Sequence, residues 1–361
     1  MPVERVLLAQ PRGFCAGVEM AIKALSWMVR VFEPPVYCYH EIVHNRLVVD
    51  RFRELGVVFV DDVDDVPEGA PLMLSAHGSA PEVVGAARDR GRFVVNAVCP
   101  LVTKVHHEAK VRAGKGFTVL YVGHAGHDEA TGTLAVAPEA IRLVEHEDDL
   151  ARVLPTVGDP SKVALLAQTT LSMHDWEGIA DRARTEFPEL WTATRNDLCF
   201  ATTNRQAAVQ AIAAEADAIV VIGSANSSNT VALAKVAAAA GCPIVVRIDG
   251  PDELTNLGEL GDALGDARIV GVTAGASAPE DLVQAVIARL APTEGVVPVH
   301  VTEEDEYFPP PRELRELMNA LDVAAPALFG GPLPSAKTAA GSRDGAFTDD
   351  RRVDASDVLA G

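Results

Sequence analysis

The sequence predicts an α/β protein of three similar small units with mostly parallel sheets, grouped around one centre. Three observations lead there. Short apolar runs, many of them β-branched, recur along the chain, and each ends in a polar or glycine-rich string. Stretches with 3.6-residue apolar spacing lie between them, which is the strand, loop, helix order of parallel sheets covered on both faces. Cys15, Cys99 and Cys199 are spaced by 84 and 100 residues, about one small α/β unit each, and each opens a helix-like pattern.

In chain order, Val18, Ala21, Ile22 and Leu25 mark one face of a helix that begins just after Cys15. "PLMLSAHG", "FTVLYVGHAGH" and "KVALLAQTT" each read as a buried strand running into a polar loop, and "LSMHDWEGIA" follows the last as a helix. Val209, Ile212 and Ala213 set a helical face behind Cys199, and "AIVVIGSANSSN" and "RIVGVTAGAS" supply two further strand-loop units. The implied boundaries are 1–99, 100–198 and 199–320, the last with a closing segment. From 321 to 361 periodicity is lost among Gly, Pro, Ala, Ser and charges, the composition of a disordered tail. In parallel sheets ligands gather beyond the carboxyl ends of the strands, where the five polar strings fall.

Bulk composition narrows the classes of function. The chain has 361 residues, 48% of them hydrophobic, enough for several real cores. Its 31 Lys and Arg face 51 Asp and Glu, and a net charge of −20 repels nucleic acid and anionic membranes. "MPVERVLLAQ" reads as neither signal peptide nor anchor, and no later run approaches the roughly 20 apolar residues of a membrane span. A cytoplasmic location is expected. Five scattered cysteines argue against a disulfide framework and for buried thiols with metal or redox chemistry.

A thiolate at a helix N-terminus gains from the partial positive charge and free N–H groups there, which suits it to nucleophilic attack or metal ligation. Taken alone, a cysteine packs as a small hydrophobe. Cys38 in "VYCYH" and Cys242 in "AGCPIVV" fit that description. "CAGVEMAIKAL", "CPLVTKVHHEAK" and "CFATTNRQAAVQAI" depart from it together. If Cys15, Cys99 and Cys199 converge, they could hold zinc or an iron-sulfur cluster with one metal position open.

Histidines cluster in "HEIVHN" (His40, His44), "SAHG" (His77) and "GHAGHDEATGT" (His124, His127). "GSANSSN" and "GVTAGASAP" add Ser227, Ser228, Asn229 and Ser277 beside glycines, a lining suited to phosphate oxygens at helix N-termini. Singly, each serine would be a helix cap and each histidine a structural residue; shared among several loops, they point to one anionic ligand, a diphosphate. No Walker or dinucleotide fingerprint is present. Glu129, in a glycine-bounded loop, could serve as a proton donor once buried, and the Thr169 hydroxyl could relay or orient that proton, although a helix N-cap is its simpler role. His106, His107, His146 and His174 stand in helical or charged surroundings and carry no functional reading.

Together, "PRGFCAGV", "HEIVHN", "SAHG", "CPLV", "GHAGHDEATGT", "QTTLS", "CFATTNRQ", "GSANSSN" and "GVTAGASAP" resemble, in order, the 4-hydroxy-3-methylbut-2-enyl diphosphate reductase family of the non-mevalonate isoprenoid pathway. The resemblance implies one 4Fe-4S cluster held by Cys15, Cys99 and Cys199 in three pseudo-threefold units, with the unique iron left for substrate. It implies that His44, His77, His127, Ser227, Ser228, Asn229 and Ser277 bind an allylic diphosphate. Glu129 would deliver protons with Thr169, which also contacts substrate. The implied reaction removes the allylic hydroxyl as water and yields isopentenyl and dimethylallyl diphosphate. No flavin or nicotinamide motif is present, so an outside electron donor, ferredoxin or flavodoxin, is expected. "NAVCP" stands where an Asp-Ala-Thr-Cys-Pro string is common in the family, and spacers vary in "HDEAT". A non-redox dehydratase, a redox sensor and an inert structural protein are the competing readings.

Overall fold

A computed structural model describes residues 3–91, 93–193, 197–254, 264, 266–328 and 354–360. The strands are β1 (Arg5–Gln10), β2 (Val36–Tyr39), β3 (Val57–Val60), β4 (Pro71–Leu74), β5 (Phe93–Asn96), β6 (Thr118–Val122), β7 (Ile141–Val144), β8 (Val163–Ala167), β9 (Trp191–Thr192), β10 (Ala218–Ile222), β11 (Ile244–Ile248), β12 (Ile269–Ala274) and β13 (Val296–His300). They form three sheets, ordered β3-β2-β4-β5, β7-β6-β8-β9 and β11-β10-β12-β1-β13. Every pairing is parallel. Strands such as β8 and β10 are buried at every residue, because helices cover both faces and leave no position for a polar side chain.

The first four strands of each sheet follow one spatial order, so the three units share a topology. They do not share the boundaries that spacing suggests. β1 belongs to the third sheet, where it takes the fourth-strand place between β12 and β13, with Val6 opposite Val270 on one side and Val296 on the other. The unit read as 1–99 therefore gives up its first strand. The local pattern of a buried strand says that it needs neighbours on both sides, but not which ones.

This exchange explains the cysteine spacing. Cys99 follows β5, Cys199 follows β9 and Cys15 follows β1, each the fourth strand of its sheet. The helix that then begins packs on the next unit. α1 (Ala16–Val31) lies against β2 through Ile22, Leu25 and Met28. The second crossing helix (Pro100–Gly114) lies against β6 and β8 through Val105 and Ala109, and the third (Phe200–Ala213) against β1 and β10 through Val209 and Ile212. Each cysteine thus sits where one unit hands the chain to the next, and three such junctions surround one centre.

The remaining helices, in chain order, make the crossing helices α4 and α8. They are α2 (Arg46–Glu54), α3 (Pro81–Arg90), α5 (Asp128–Val136), α6 (Asp149–Val153), α7 (Met173–Glu186), α9 (Ser228–Ala239), α10 (Glu280–Leu290), α11 (Arg312–Leu328) and α12 (Ala355–Ala360). The last two reach into the stretch 321–361 that composition reads as a disordered tail, over 321–328 and 355–360. α11 runs through 321–328, anchored in the first unit's core by Leu314, with Leu317 and Met318 on the same face. Beyond Met318 the helix leaves the core, with Leu321 and Val323 exposed, and it carries a proline, Pro326, which in sequence reads as a helix end. α12 puts Ala355 and Leu359 into that core, too few residues to show a period. The rest of the tail lies outside the described residues.

Candidate active site

Cys15, Cys99, Cys199, His44, His77, His127, Glu129, Thr169, Ser227, Ser228, Asn229 and Ser277 line one cavity of about 100 Å³. Every residue predicted for the site is therefore on its wall. Cys38 and Cys242 are buried elsewhere, in β2 and just before β11.

Each of the three cysteines is the N-cap residue of a helix, α1, α4 or α8, and at Cys199 the sulfur itself accepts the capping bond. Each cysteine's backbone N–H donates to the loop that leaves the third strand of its sheet: Cys15 to Ala276 O (3.3 Å), Cys99 to Ala76 O (3.0 Å) and Cys199 to Thr169 O (3.0 Å). Matching bonds in matching places show the threefold repeat at atomic scale. Burial is the largest influence on all three thiols and raises their pKa, Cys199 to about 12, so these positions disfavour a bare thiolate. The N–H of Thr202 donates to Cys199 Sγ at 3.2 Å, and the Thr202 hydroxyl lies 3.0 Å from it.

Gly17 keeps the space between two of the thiols open. A Cβ there would sit 2.7 Å from Cys99 Sγ and 3.9 Å from Cys15 Sγ. Gly17→Ala should therefore displace the Cys99 sulfur while leaving α1 helical, since alanine is the better helix former. The expected result is lower iron content per chain at unchanged helical circular dichroism; full iron content would show that the sulfur has room to move.

Arg205 escaped the sequence reading. Its side chain is 0% exposed and donates to Gly13 O (2.7 and 3.0 Å), Phe14 O (3.0 Å) and Ala201 O (3.0 Å), and it pairs with Glu304 at 3.0 Å. A cation from α8 thereby clamps the backbone just ahead of Cys15 and ties down the segment after β13, which brings Phe308 onto the cavity wall. The available signal was position: Arg205 falls on the buried stripe of Ala201, Ala208, Val209 and Ile212.

The cavity wall also carries a set of polar side chains. The ring centroids of His44 and His77 stack 3.7 Å apart, and that of His127 stands edge-on 5.0 Å from His44. His127 caps α5 and Ser227 caps α9. The His127 Nδ1 accepts from the N–H of Glu129 at 3.2 Å, so its proton belongs on Nε2. Ser277 donates from Oγ to His44 O at 2.9 Å, and Asn229 Oδ1 accepts from the N–H of Ala276 at 3.0 Å. Ser228 Oγ and Asn229 Nδ2 are buried without a hydrogen-bond partner among the described residues, and both ring nitrogens of His44 and Nδ1 of His77 have only carboxylate oxygens of Glu41 and Asp128 near them, at 3.6–3.9 Å. So many unmatched polar atoms in one wall are costly unless a polar ligand meets them. Burial holds the pKa of His77 well below its usual value and brings His127 down to about 4.

Glu129, 2% exposed, lies on the same wall. Its Oε1 accepts from the Thr169 N–H at 2.7 Å and its Oε2 from the Thr169 hydroxyl at 2.9 Å. Both bonds favour the carboxylate, yet burial outweighs them and raises the pKa to about 7, with Asp197 adding to the rise. A carboxyl that titrates near neutrality can act as a general acid. Val18, Val43, Leu101, Val102, Phe200 and Phe308 complete an apolar stretch of wall.

The model of the LytB protein family matches residues 6–291. A 4-hydroxy-3-methylbut-2-enyl diphosphate reductase of Rhodopirellula baltica is 48% identical over 86% of this chain and 96% of its own length. One from Mycobacterium ulcerans is 46% identical over 86% of this chain and 92% of its own. Among solved structures, the E-1-hydroxy-2-methyl-but-2-enyl-4-diphosphate reductase of Plasmodium falciparum superposes with a TM-score of 0.82 at 30% identity, covering 89% of this chain and 100% of that one. With matches of this length across both sequence and fold, the chain belongs to the LytB family, alongside these diphosphate reductases.

Proposed function

We propose that the protein reductively dehydroxylates (E)-4-hydroxy-3-methylbut-2-enyl diphosphate to isopentenyl and dimethylallyl diphosphate. The observation that carries this reading is the meeting of three N-cap cysteines, a set of polar anion-binding groups and a buried acid in one cavity. Cys15, Cys99 and Cys199 fit a 4Fe-4S cluster: they line one wall, the Gly17 backbone leaves the space between two of them free, and N–H groups point at sulfur. When bound, such a cluster supplies single electrons and an open Lewis-acidic iron for the substrate hydroxyl.

The chain's own residues do the rest. His44, His77, His127, Ser227, Ser228, Asn229 and Ser277 grip the diphosphate, and charge-assisted bonds there contribute about 1.5–3 kcal/mol each. The apolar wall takes the five-carbon skeleton and excludes water. Glu129, oriented by Thr169, gives a proton to the departing hydroxyl; two electrons and two protons enter overall, and water leaves with one hydrogen on the allyl fragment. Electrons come from a ferredoxin or flavodoxin in the cytoplasm. Those donors are acidic, so the −20 chain must offer a local basic patch.

The test is anaerobic purification, iron and sulfide analysis, and addition of substrate with a chemical reductant. Equal iron and sulfide, with both five-carbon diphosphates formed only when reductant is present, is the expected result. Product without reductant would favour a dehydratase, and colourless protein would remove the cluster from the account. No helix among the described residues is long and apolar enough to cross a membrane.

A further inference from the structure

The three cysteine junctions share a topology but not an exposure. α1 has no exposed residue before Arg30 and α8 none before Gln210, about three turns or more from Cys15 and Cys199. α4 is open to solvent from its first turn, where Pro100, Thr103, Lys104, His107 and Lys110 are all exposed. The Thr103 hydroxyl donates to Cys99 O at 3.3 Å, so a single hydrogen bond links the backbone of this cysteine to a surface side chain. A groove between α3 and α4 is lined by Val98 and Thr103, on either side of Cys99 in the chain, and by Arg88, His107 and Lys110. Val98 and His106 of this groove and Val102 of the active cavity crowd together on Gly78, whose Cβ would meet them at 3.3, 3.2 and 2.9 Å. The two spaces therefore share one layer of side chains as their wall.

This groove is basic on an acidic chain. Among the described residues no Asp or Glu lines it, although the chain holds 51 of them, and neither Arg88 nor Lys110 is in an ion pair. The other charges on α4 are matched elsewhere, Glu108 with Arg112 at 3.5 Å and Lys104 with Asp197 at 3.6 Å, while Glu82 and Asp89 of α3 lie off the groove. We infer that this face, α4 from Thr103 to Lys110 with Arg88 of α3, is the docking site of an acidic one-electron carrier protein. The inference rests on the reductive reading of the cavity and supplies the basic patch which that reading requires. A surface with a net charge of −20 repels an acidic carrier over most of its extent, so unpaired cations free of carboxylates both attract the carrier and fix its orientation. They do so beside the one cysteine of the trio whose helix is open to solvent from its first turn. Each carrier arrives reduced, gives up one electron and leaves oxidised, so two dock for each substrate reduced.

Binding is read separately from turnover. An oxidised, acidic 2Fe-2S ferredoxin, and in a second series an oxidised flavodoxin, is titrated calorimetrically into the anaerobic, iron-loaded protein, and each carrier in its reduced form then drives turnover. Arg88→Glu and Lys110→Glu should each weaken binding of the carrier, and raise its KM, by about tenfold at low ionic strength. The loss should shrink at high ionic strength, where exposed charges are screened. Turnover driven by a small chemical reductant should stay at the wild-type rate in both variants. Lys235→Glu, at an exposed position on α9, makes the same change in net charge and should alter carrier binding by no more than about twofold. Lys110→Gln, which removes the charge without reversing it, should show a smaller loss in the same direction and serves should a glutamate variant load poorly with iron. Unchanged carrier binding in either face variant, or an equal loss in Lys235→Glu, overturns the inference while turnover with the chemical reductant keeps the cavity reading intact. Failure of both carriers to bind and reduce wild type overturns the docking site and the protein donor together, and failure of the chemical reductant as well overturns the reductive reading itself.

Discussion

Replacing Cys15, Cys99 or Cys199 by serine should give a folded protein with no iron-sulfur cluster and no reductive turnover. The substitution is mild for the fold. Serine is among the best helix caps, and at position 199 its hydroxyl can still accept from the Thr202 N–H. It is severe for the site, because the cluster would rest on three thiolates from three units and each junction supplies only one of them. Cys38 and Cys242 provide the contrast. Cys38→Ser buries a hydroxyl in the first unit's core and should cost about 1–3 kcal/mol of stability, yet leave iron content unchanged. Iron and sulfide analysis, visible absorption and thermal unfolding on the five single variants separate the two groups. Cluster retention in any variant of the junction trio would show that the thiols do not act as a set.

Much of this site was legible because its parts are local. The cysteines announce themselves as helix openings, and the histidine and serine loops follow strands whose apolar runs are plain, so topology had only to gather the ends. What stayed hidden depends on pairs far apart in the chain. β1 finds its partners at Val270 and Val296, and no pattern within "RVLLAQ" names them. Arg205 and Glu304 explain one another only once α8 meets the closing segment. Asp128 looks like a spacer between His127 and Glu129 until the fold brings His40 and His77 from the first unit against it. Periodicity and local motifs record what a residue needs; its partner is set by tertiary structure.

Glu129→Gln should lower turnover by about 10²–10⁴-fold, the range lost when a positioned proton donor is removed, with little change in substrate affinity. Gln keeps an oxygen to accept from the Thr169 N–H, so the loop should hold its shape; what it lacks is an acidic proton. The pH dependence follows from the same carboxyl. The acid must be protonated to act and titrates near 7 in the free protein, so kcat/KM should fall as pH rises through about 7. Bound diphosphate adds negative charge to the cavity, and a like charge favours the neutral acid, so the falling limb of kcat should lie at higher pH than that of kcat/KM. Glu129→Gln should lose that separation along with its rate. Thr169→Val tests the orienting role, since it removes the hydroxyl bond at 2.9 Å but keeps the backbone bond at 2.7 Å. With one bond to the carboxylate gone, the pKa of Glu129 should rise and both limbs should move to higher pH. Pre-steady-state product formation across this pH range checks each point, and an unshifted limb in Thr169→Val would assign the titration to a different group.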